Sequence, residues 1–240
     1  MITLLQAKAS GFWRRFRITP AAGRVCAEVE DDYHCMRVTL KHNGVRVTAV
    51  RPHMRRAPWS TCPGAEDELQ ATFTGVALED ISARGDKKRN CTHLYDLVEL
   101  AAAHAMDPAP LVYDIVVADP VEGKRHAEIY RDGQRLLSWV EQKLELLEPA
   151  GLAGRSLFDL RDWMQQQSVE TREAARLLRW GTILANGRQI PLQQQSDASK
   201  MPANCYTFQP QRAAQAQRIG EIRDFSSRPE RPLDGYQAFA

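Results

Sequence analysis

The sequence predicts an α+β fold, in which an antiparallel β-sheet, a meander or a partial barrel, is wrapped by helices and followed by a helical C-terminal part. Short segments up to residue 147 alternate apolar and polar side chains with the period of a half-buried strand. Asn43-Gly44, a tight-turn dipeptide, separates two of these segments. Ser156 is expected to open a helix through Gln167, and Ser168 is expected to open a second helix through Leu184. We therefore expect residues 1–150 to form a sheet-plus-helix core domain and residues 151–240 a helical extension and tail packed on it, as a single structural unit.

Strand patterns dominate the first 50 residues. Residues 12–19 mix aromatic and basic side chains, which predicts an edge strand, and residues 24–30 alternate strictly. Residues 34–40 and 45–50 are expected to form a hairpin around the Asn-Gly turn. The prolines that follow predict a loop across residues 51–59.

Two helices are expected next. Pro63 and the acidic residues after it are typical of a first helical turn, and Gly75 is expected to end that helix. Asn90 is expected to cap a second helix, because an apolar stripe follows it. The strand pattern returns over residues 111–131, whereas residues 135–147 fit either a strand or a helix.

The overall charge excludes some classes of partner. Lys and Arg number 32 against 30 Asp and Glu, so the net charge of +2 creates no general attraction for nucleic acid or anionic membranes. No apolar run reaches the roughly 18–20 residues that a membrane span needs, and the N-terminus lacks a secretory signal. We expect a cytoplasmic protein that binds neither nucleic acid nor membrane. The sequence is compatible with a homo-oligomer.

The five cysteines include no CxxC pair, which favours free thiols over a disulfide framework. Cys91 and His93 are separated by one residue, a gap shorter than zinc modules use, so no metal site is expected. Dinucleotide, P-loop, hydrolase-elbow and zincin motifs do not occur in the sequence, so no cofactor is expected.

Histidines and cysteines concentrate between Asp31 and His93, near predicted strand ends and helix starts. Fold positions of this kind leave polar side chains available to a ligand. We expect the segment to line one small-molecule pocket. His34 or His53 would act as a general base, with Asp31 and Asp32 close enough to orient its imidazole, although each histidine fits a structural role equally well.

Other residues of the segment suit ligand binding. Arg51, Arg55 and Arg56 form a basic rim that fits a carboxylate, a phenolate or a phosphate-bearing cofactor. Tyr33 and Trp59 offer flat faces for an aromatic ring. The rest of the expected lining consists of residues at predicted helix starts: Cys62, Cys91 and His93. A helix start favours a thiolate, but buried inert thiols are the common case.

Several segments resemble a bacterial family known as domain of unknown function 2889. They are Glu30-Asp31-Asp32-Tyr33-His34-Cys35-Met36, Val50-Arg51-Pro52-His53, Ala57-Pro58-Trp59-Ser60-Thr61-Cys62, Gly75, Asn90-Cys91-Thr92-His93-Leu94, and a later Asn204-Cys205-Tyr206-Thr207-Phe208. The chain departs from the family at Asn90, where glycine is usual, and at Trp59, where tyrosine is common.

The resemblance implies products of bacterial aromatic and lipid catabolism, and it points to cofactor-independent γ-formaldehyde lyases that act on lignin-derived phenolic dimers. Such a lyase needs a base for a hydroxyl proton, a cation for a phenolate and aromatic walls. On this expectation His34 or His53 is the base, Asp32 orients it, and Arg51 holds the phenolate. Two alternatives stay open: a non-catalytic ligand-binding or accessory protein of an aromatic or acyl-CoA catabolic pathway, and a hydrolase that uses Cys62 or Cys91 as its nucleophile.

Overall fold

The computed structural model describes residues 3–236, apart from the side chains of residues 192 and 193. The eight strands are β1 (Gly11–Ala21), β2 (Arg24–Asp31), β3 (Cys35–His42), β4 (Val47–Arg56), β5 (Leu111–Ala118), β6 (Arg125–Arg131), β7 (Gln134–Gln142) and β8 (Glu145–Glu148). The α-helices are α1 (Leu4–Ala7), α2 (Ala65–Phe73), α3 (Thr92–Ala103), α4 (Arg161–Gln165), α5 (Val169–Leu184) and α6 (Pro210–Ala213).

The strands form one open antiparallel sheet in the order β4-β3-β2-β1-β5-β6-β7-β8. The predicted α+β class, with an antiparallel meander and helices toward the C-terminus, is confirmed. The expectation of an edge strand over residues 12–19 is wrong, because β1 lies between β2 and β5. No helix within residues 3–236 is long and apolar enough to cross a membrane.

The chain divides into two compact units, each built from separate segments. The first unit comprises Met1–Arg15, Val112–Ile190 and Asp224–Ala240, and the second comprises Phe16–Leu111 and Pro191–Arg223. The expected boundary near residue 150 stays a prediction. All the predicted site residues belong to the second unit.

In the second unit, strand alternation separates a covered face from an open face. Met36, Val38 and Leu40 are fully buried on the face of β3 that α3 covers. Arg37 and Thr39 alternate with them and are only half-buried. The alternation therefore gives this part of the sheet one apolar face and one polar face.

The strand β4 extends further than the sequence predicted. It runs to Arg56 and includes Pro52, although prolines led us to expect a loop from residue 51. The reason is that β4 is the edge strand of the sheet, where the missing N–H of a proline costs no ladder hydrogen bond. A register shift lies near its end, because Cys35 pairs with Arg56 while Met36 pairs with Met54.

The two helices of this unit begin close to where the sequence placed them. A 3-10 turn, Cys62–Gly64, leads directly into α2, so Cys62 does precede a helix. The N-cap residue of α3 is Cys91, one position after the predicted Asn90. Asn90 is instead buried, where its side-chain amide donates to Thr72.

In the first unit, the ambiguous segment 135–147 is resolved as the strands β7 and β8. The helix α5 starts at the predicted cap, since Ser168 accepts a hydrogen bond from the backbone N–H of Thr171. Its buried face includes Leu178 and packs on β6 and β7. The helix expected over residues 156–167 is reduced to the short α4.

Candidate functional site

The candidate site is built on the turn between β2 and β3. The backbone N–H of Asp31 donates to the carbonyl of His34 at 2.9 Å, which closes the hairpin over two residues. Asp31 is the last residue of β2 and continues the alternation of Ala27 and Val29. This periodicity places the Asp31 side chain at the end of the apolar column that α3 covers.

The Asp31 carboxylate holds the turn and the imidazole of His34 together. Its Oδ1 atom accepts from the backbone N–H groups of Tyr33 and His34, both at 2.8 Å, and lies 3.0 Å from His34 Nδ1. Asp31 is fully buried and His34 is 6% exposed. Because a carboxylate only accepts, Nδ1 of a neutral His34 carries the proton and Nε2 keeps the lone pair of a base.

The start of α3 supplies the second histidine. His93 lies in its first turn, buried, and its ring stacks on that of His34 with 3.9 Å between ring centroids and 29° between planes. The stack follows from the packing of α3 over β2 and β3. Two histidines that are 59 positions apart in the sequence are thus brought into contact.

Arg56 stabilises the turn through hydrogen bonds to its backbone carbonyls. Its guanidinium donates to the carbonyls of Asp31 at 2.7 Å, Asp32 at 2.8 Å and His34 at 3.2 Å, and pairs with Glu30 at 3.2 Å. The register shift in β4 puts Arg56 opposite Cys35, the residue that also faces Glu30 in β2. The bulge therefore aims this cation at the turn that carries His34.

The carboxylate on His34 is that of Asp31, where the sequence predicted Asp32. Asp32 is also fully buried, and its backbone carbonyl accepts from Arg56 and from the N–H of Arg223. The correction follows from strand alternation, since Asp31 and not Asp32 shares the face of Val29.

The structure does not bring His53 and Arg51 to the histidine pair. They are exposed on β4 and lie opposite Arg37 and Thr39, respectively, on β3. Residues directly opposite each other share a face of the sheet. Both side chains therefore lie on the open face, whereas His34 contacts α3 on the covered face.

Tyr33 and Trp59, the predicted aromatic walls, flank one guanidinium. The Arg218 guanidinium carbon lies 5.9 Å from the Tyr33 ring centroid and 5.4 Å from that of Trp59. Trp59 is buried and packs edge-to-face on Phe208, with 5.9 Å between centroids. The Tyr33 ring is 6.2 Å from the ring of His34. These contacts connect the aromatic pair to the histidine turn.

The cysteines expected to line the pocket are buried. The hydroxyl of Thr207 donates to Cys62 Sγ at 3.3 Å, and Cys91 Sγ lies 4.0 Å from His93 Nδ1. Burial raises the pKa of both thiols above the ordinary value. Burial thus outweighs the effect of the helix start, which would favour a thiolate.

Asp31, His34 and His93 also match the composition of a two-histidine, one-carboxylate metal site. Within residues 3–236, they place ligand atoms within 4.8 Å of one another. However, the two stacked rings are only 29° apart in orientation, so their in-plane lone pairs lie in nearly parallel planes. Asp31 Oδ1 also lies within hydrogen-bond distance of three nitrogens. The geometry suits a hydrogen-bonded aspartate–histidine pair better than an ion.

A cavity of about 360 Å³ lies beside this site. Its walls include Glu30, Cys35, Arg56, Trp59 and Arg223. Burial, followed by the nearby Glu30 carboxylate, raises the pKa of the Cys35 thiol to about 12, so this thiol is protonated at neutral pH. The cavity therefore offers arginine side chains, the Glu30 side chain and one aromatic wall, but no thiolate.

Sequence reasoning did not single out three residues that shape the site. The periodicity of β2 could have selected Asp31 over its neighbour Asp32. Arg56 was placed only in a basic rim, because a β-bulge leaves no clear mark in sequence. Arg218 is brought to the site only by its long-range pairing with Trp59.

The fold and the buried aspartate–histidine pair define an α+β protein with a candidate acid–base site. Residues 16–107 match a family model described as "Protein of unknown function (DUF2889)". The match confirms, over those residues, the resemblance that the motifs indicated. No match was found in a search of curated proteins.

Proposed function

We propose that this chain is a carbon–carbon lyase that releases formaldehyde from a lignin-derived phenolic dimer by acid–base chemistry without a cofactor. The observation that supports it most is the 3.0 Å contact between Asp31 Oδ1 and His34 Nδ1. A carboxylate behind an imidazole is the usual arrangement of a general base near neutral pH.

In the proposed reaction, the phenolate ring expels an oxygen substituent from the benzylic carbon and becomes a quinone methide. His34 Nε2 takes the proton of the primary hydroxyl on the side chain. The bond between that carbinol carbon and its neighbour breaks, and formaldehyde leaves. The electron pair of the broken bond restores the aromatic ring and forms a carbon–carbon double bond. The imidazolium then returns its proton to the expelled oxygen, so the balance needs no external oxidant or reductant.

The surroundings of His34 support this role. The Asp31 carboxyl group accepts hydrogen bonds from two backbone N–H groups, and as a carboxylate it would stabilise the imidazolium that forms after proton transfer. The stacked ring of His93 and the bonds from Arg56 to the turn fix the orientation of His34. A base held in one orientation loses less entropy on reaching the transition state.

The test compares His34→Gln with His53→Gln. Purified protein treated with a chelator is incubated with a panel of phenolic dimers, and formaldehyde is quantified. Loss of the base should lower the rate about 100-fold or more, while His53→Gln should retain the wild-type rate because His53 is exposed on the other face. Normal turnover by a folded His34→Gln variant contradicts the proposed base.

A non-catalytic binding protein is the second candidate. The observation that favours it is the cavity, whose walls include Trp59 and Arg56 but not His34. This candidate predicts saturable binding of aromatic acids or thioesters with no formaldehyde from any dimer in the panel.

A further inference from the structure

Arg218 differs from Arg17 and Arg56, two other arginines of its unit, in what surrounds it. Arg17 pairs with Glu28, and Arg56 pairs with Glu30. Among the described residues, Arg218 has two aromatic rings beside it and no carboxylate at ion-pair distance. Burial lowers the pKa of its guanidinium, but an arginine stays charged at any physiological pH. A half-buried cation of this kind is suited to receive an anion.

The backbone holds Arg218 in place. Arg218 forms an isolated antiparallel bridge with Trp59. Two hydrogen bonds flank it, from the N–H of Ser60 to the carbonyl of Gln217 and from the N–H of Ile219 to the carbonyl of Pro58, both at 2.9 Å. Gly220 has φ +87°, and a Cβ there would lie 2.6 Å from the Ala57 carbonyl oxygen. The close approach that Gly220 permits keeps this ribbon against the chain at residues 57–60.

Arg218 and the proposed base His34 are placed so that a single ligand can contact both. The guanidinium carbon and the His34 ring lie 5.9 Å and 6.2 Å from the same Tyr33 ring. An aromatic molecule with an anionic oxygen at one end can reach the guanidinium while its reacting carbon lies near His34. Arg51, which the sequence suggested for the anion, is exposed on the open face.

We propose that Arg218 binds the anionic oxygen of an aromatic ligand, as a phenolate or carboxylate, with the ring of the ligand lying along Tyr33 and Trp59. The guanidinium fork matches two oxygens of a carboxylate and gives one strong charge-assisted bond to a phenolate. The proposal rests on the proposed function only for the chemistry that follows binding, since the anion site stands on its own contacts.

The test measures binding of three small probes by titration calorimetry: benzoate, 4-nitrophenolate and the neutral benzamide. Wild-type protein should bind at least one anion tenfold or more tightly than benzamide. Arg218→Met should remove that preference, because a charge-assisted bond contributes roughly tenfold or more in affinity. Arg218→Lys should keep part of it, since the point charge remains without the fork.

Arg51→Met is the matched control, and it should keep the wild-type preference because Arg51 is exposed on the open face. Circular dichroism of each variant checks the fold. A folded Arg218→Met protein that still prefers benzoate or 4-nitrophenolate overturns the proposal, as does a wild-type protein that binds the anions no better than benzamide. If only benzoate is preferred, the ligand is a carboxylate; if only 4-nitrophenolate, it is a phenolate.

The two proposals can fail separately. If anion preference depends on Arg218 but no dimer yields formaldehyde, the anion-site proposal is supported and the lyase proposal is contradicted. If formaldehyde release requires His34 but neither its rate nor its KM changes in Arg218→Met, the lyase proposal is supported and the anion-site proposal is contradicted.

Discussion

Replacement of Arg56 by methionine should be the most destabilising single change around the histidine turn. The side chain is buried, and it bonds to three carbonyls within residues 31–34 and to Glu30. Methionine fills similar volume but donates no hydrogen bond. The variant therefore leaves four carbonyl acceptors, those three and the carbonyl of Glu221, without this donor and removes the closest cation from Glu30.

The magnitude follows from these contacts. Removing one partner of a buried ion pair costs about 3–5 kcal/mol, and hydrogen bonds to charged groups contribute about 1.5–3 kcal/mol each. Arg223, at 3.6 Å from Glu30, remains as a second cation and limits the loss. We expect the free energy of unfolding to fall by about 3–4 kcal/mol.

The assay is urea unfolding followed by tryptophan fluorescence, with Arg51→Met as the control. The exposed control should stay within about 0.5 kcal/mol of wild type. Adding Glu30→Gln to Arg56→Met should recover part of the loss, because the second change removes the uncompensated charge. A loss below about 1 kcal/mol for Arg56→Met, with an unchanged m-value, refutes the view that this cation organises the turn.

Three further outcomes are expected. Burial works to raise the pKa of Asp119, but hydrogen bonds led by that from Arg188 outweigh it and hold this pKa below its ordinary value. Stability from this carboxylate is therefore present at neutral pH and lost as pH falls below about 4, and Arg188→Met should flatten that acid dependence in thermal unfolding. Burial raises the pKa of the Cys91 thiol, so iodoacetamide near pH 8 should alkylate it in urea but not in the native protein. Mass spectrometry measures the alkylation. Alkylation of the native protein with loss of activity would favour the thiol hydrolase. Gly220→Ala should destabilise by about 1–3 kcal/mol because of its backbone conformation and the Ala57 contact, whereas Gly151→Ala, which meets nothing within 4 Å, should be nearly neutral in the same unfolding assay.

Local patterns predicted most of the elements because each depends on near neighbours in sequence. The hairpin at Asn43-Gly44 and the cap at Ser168 are of this kind, since turn and capping preferences act over a few residues. The end of β4 was missed because the tolerance of Pro52 depends on its being in an edge strand, and strand order is a long-range property.

The site was only partly predictable for the same reason. His34 at a strand end and His93 at a helix start were both placed correctly along the chain, but their 3.9 Å stacking depends on how α3 crosses the sheet. The exclusion of His53 was available from periodicity, because the residues on either side of it in β4 are less exposed. Asp31 could likewise have been chosen over Asp32, because it lies two residues after Val29 and therefore on the same face of β2.

The family match covers residues 16–107 and therefore includes Asp31, His34 and His93 but not Arg218. The proposed base and its carboxylate thus lie in the matched segment, whereas the proposed anion contact comes from the returning segment Pro191–Arg223. If both proposals hold, the reaction is carried by the matched part, and ligand preference is set by a ribbon outside it. Replacing residues 217–220 by a different sequence should then alter the preference among benzoate, 4-nitrophenolate and benzamide. His34 should remain necessary for any formaldehyde release. A ribbon exchange that leaves all three affinities unchanged would place ligand recognition within the matched segment instead.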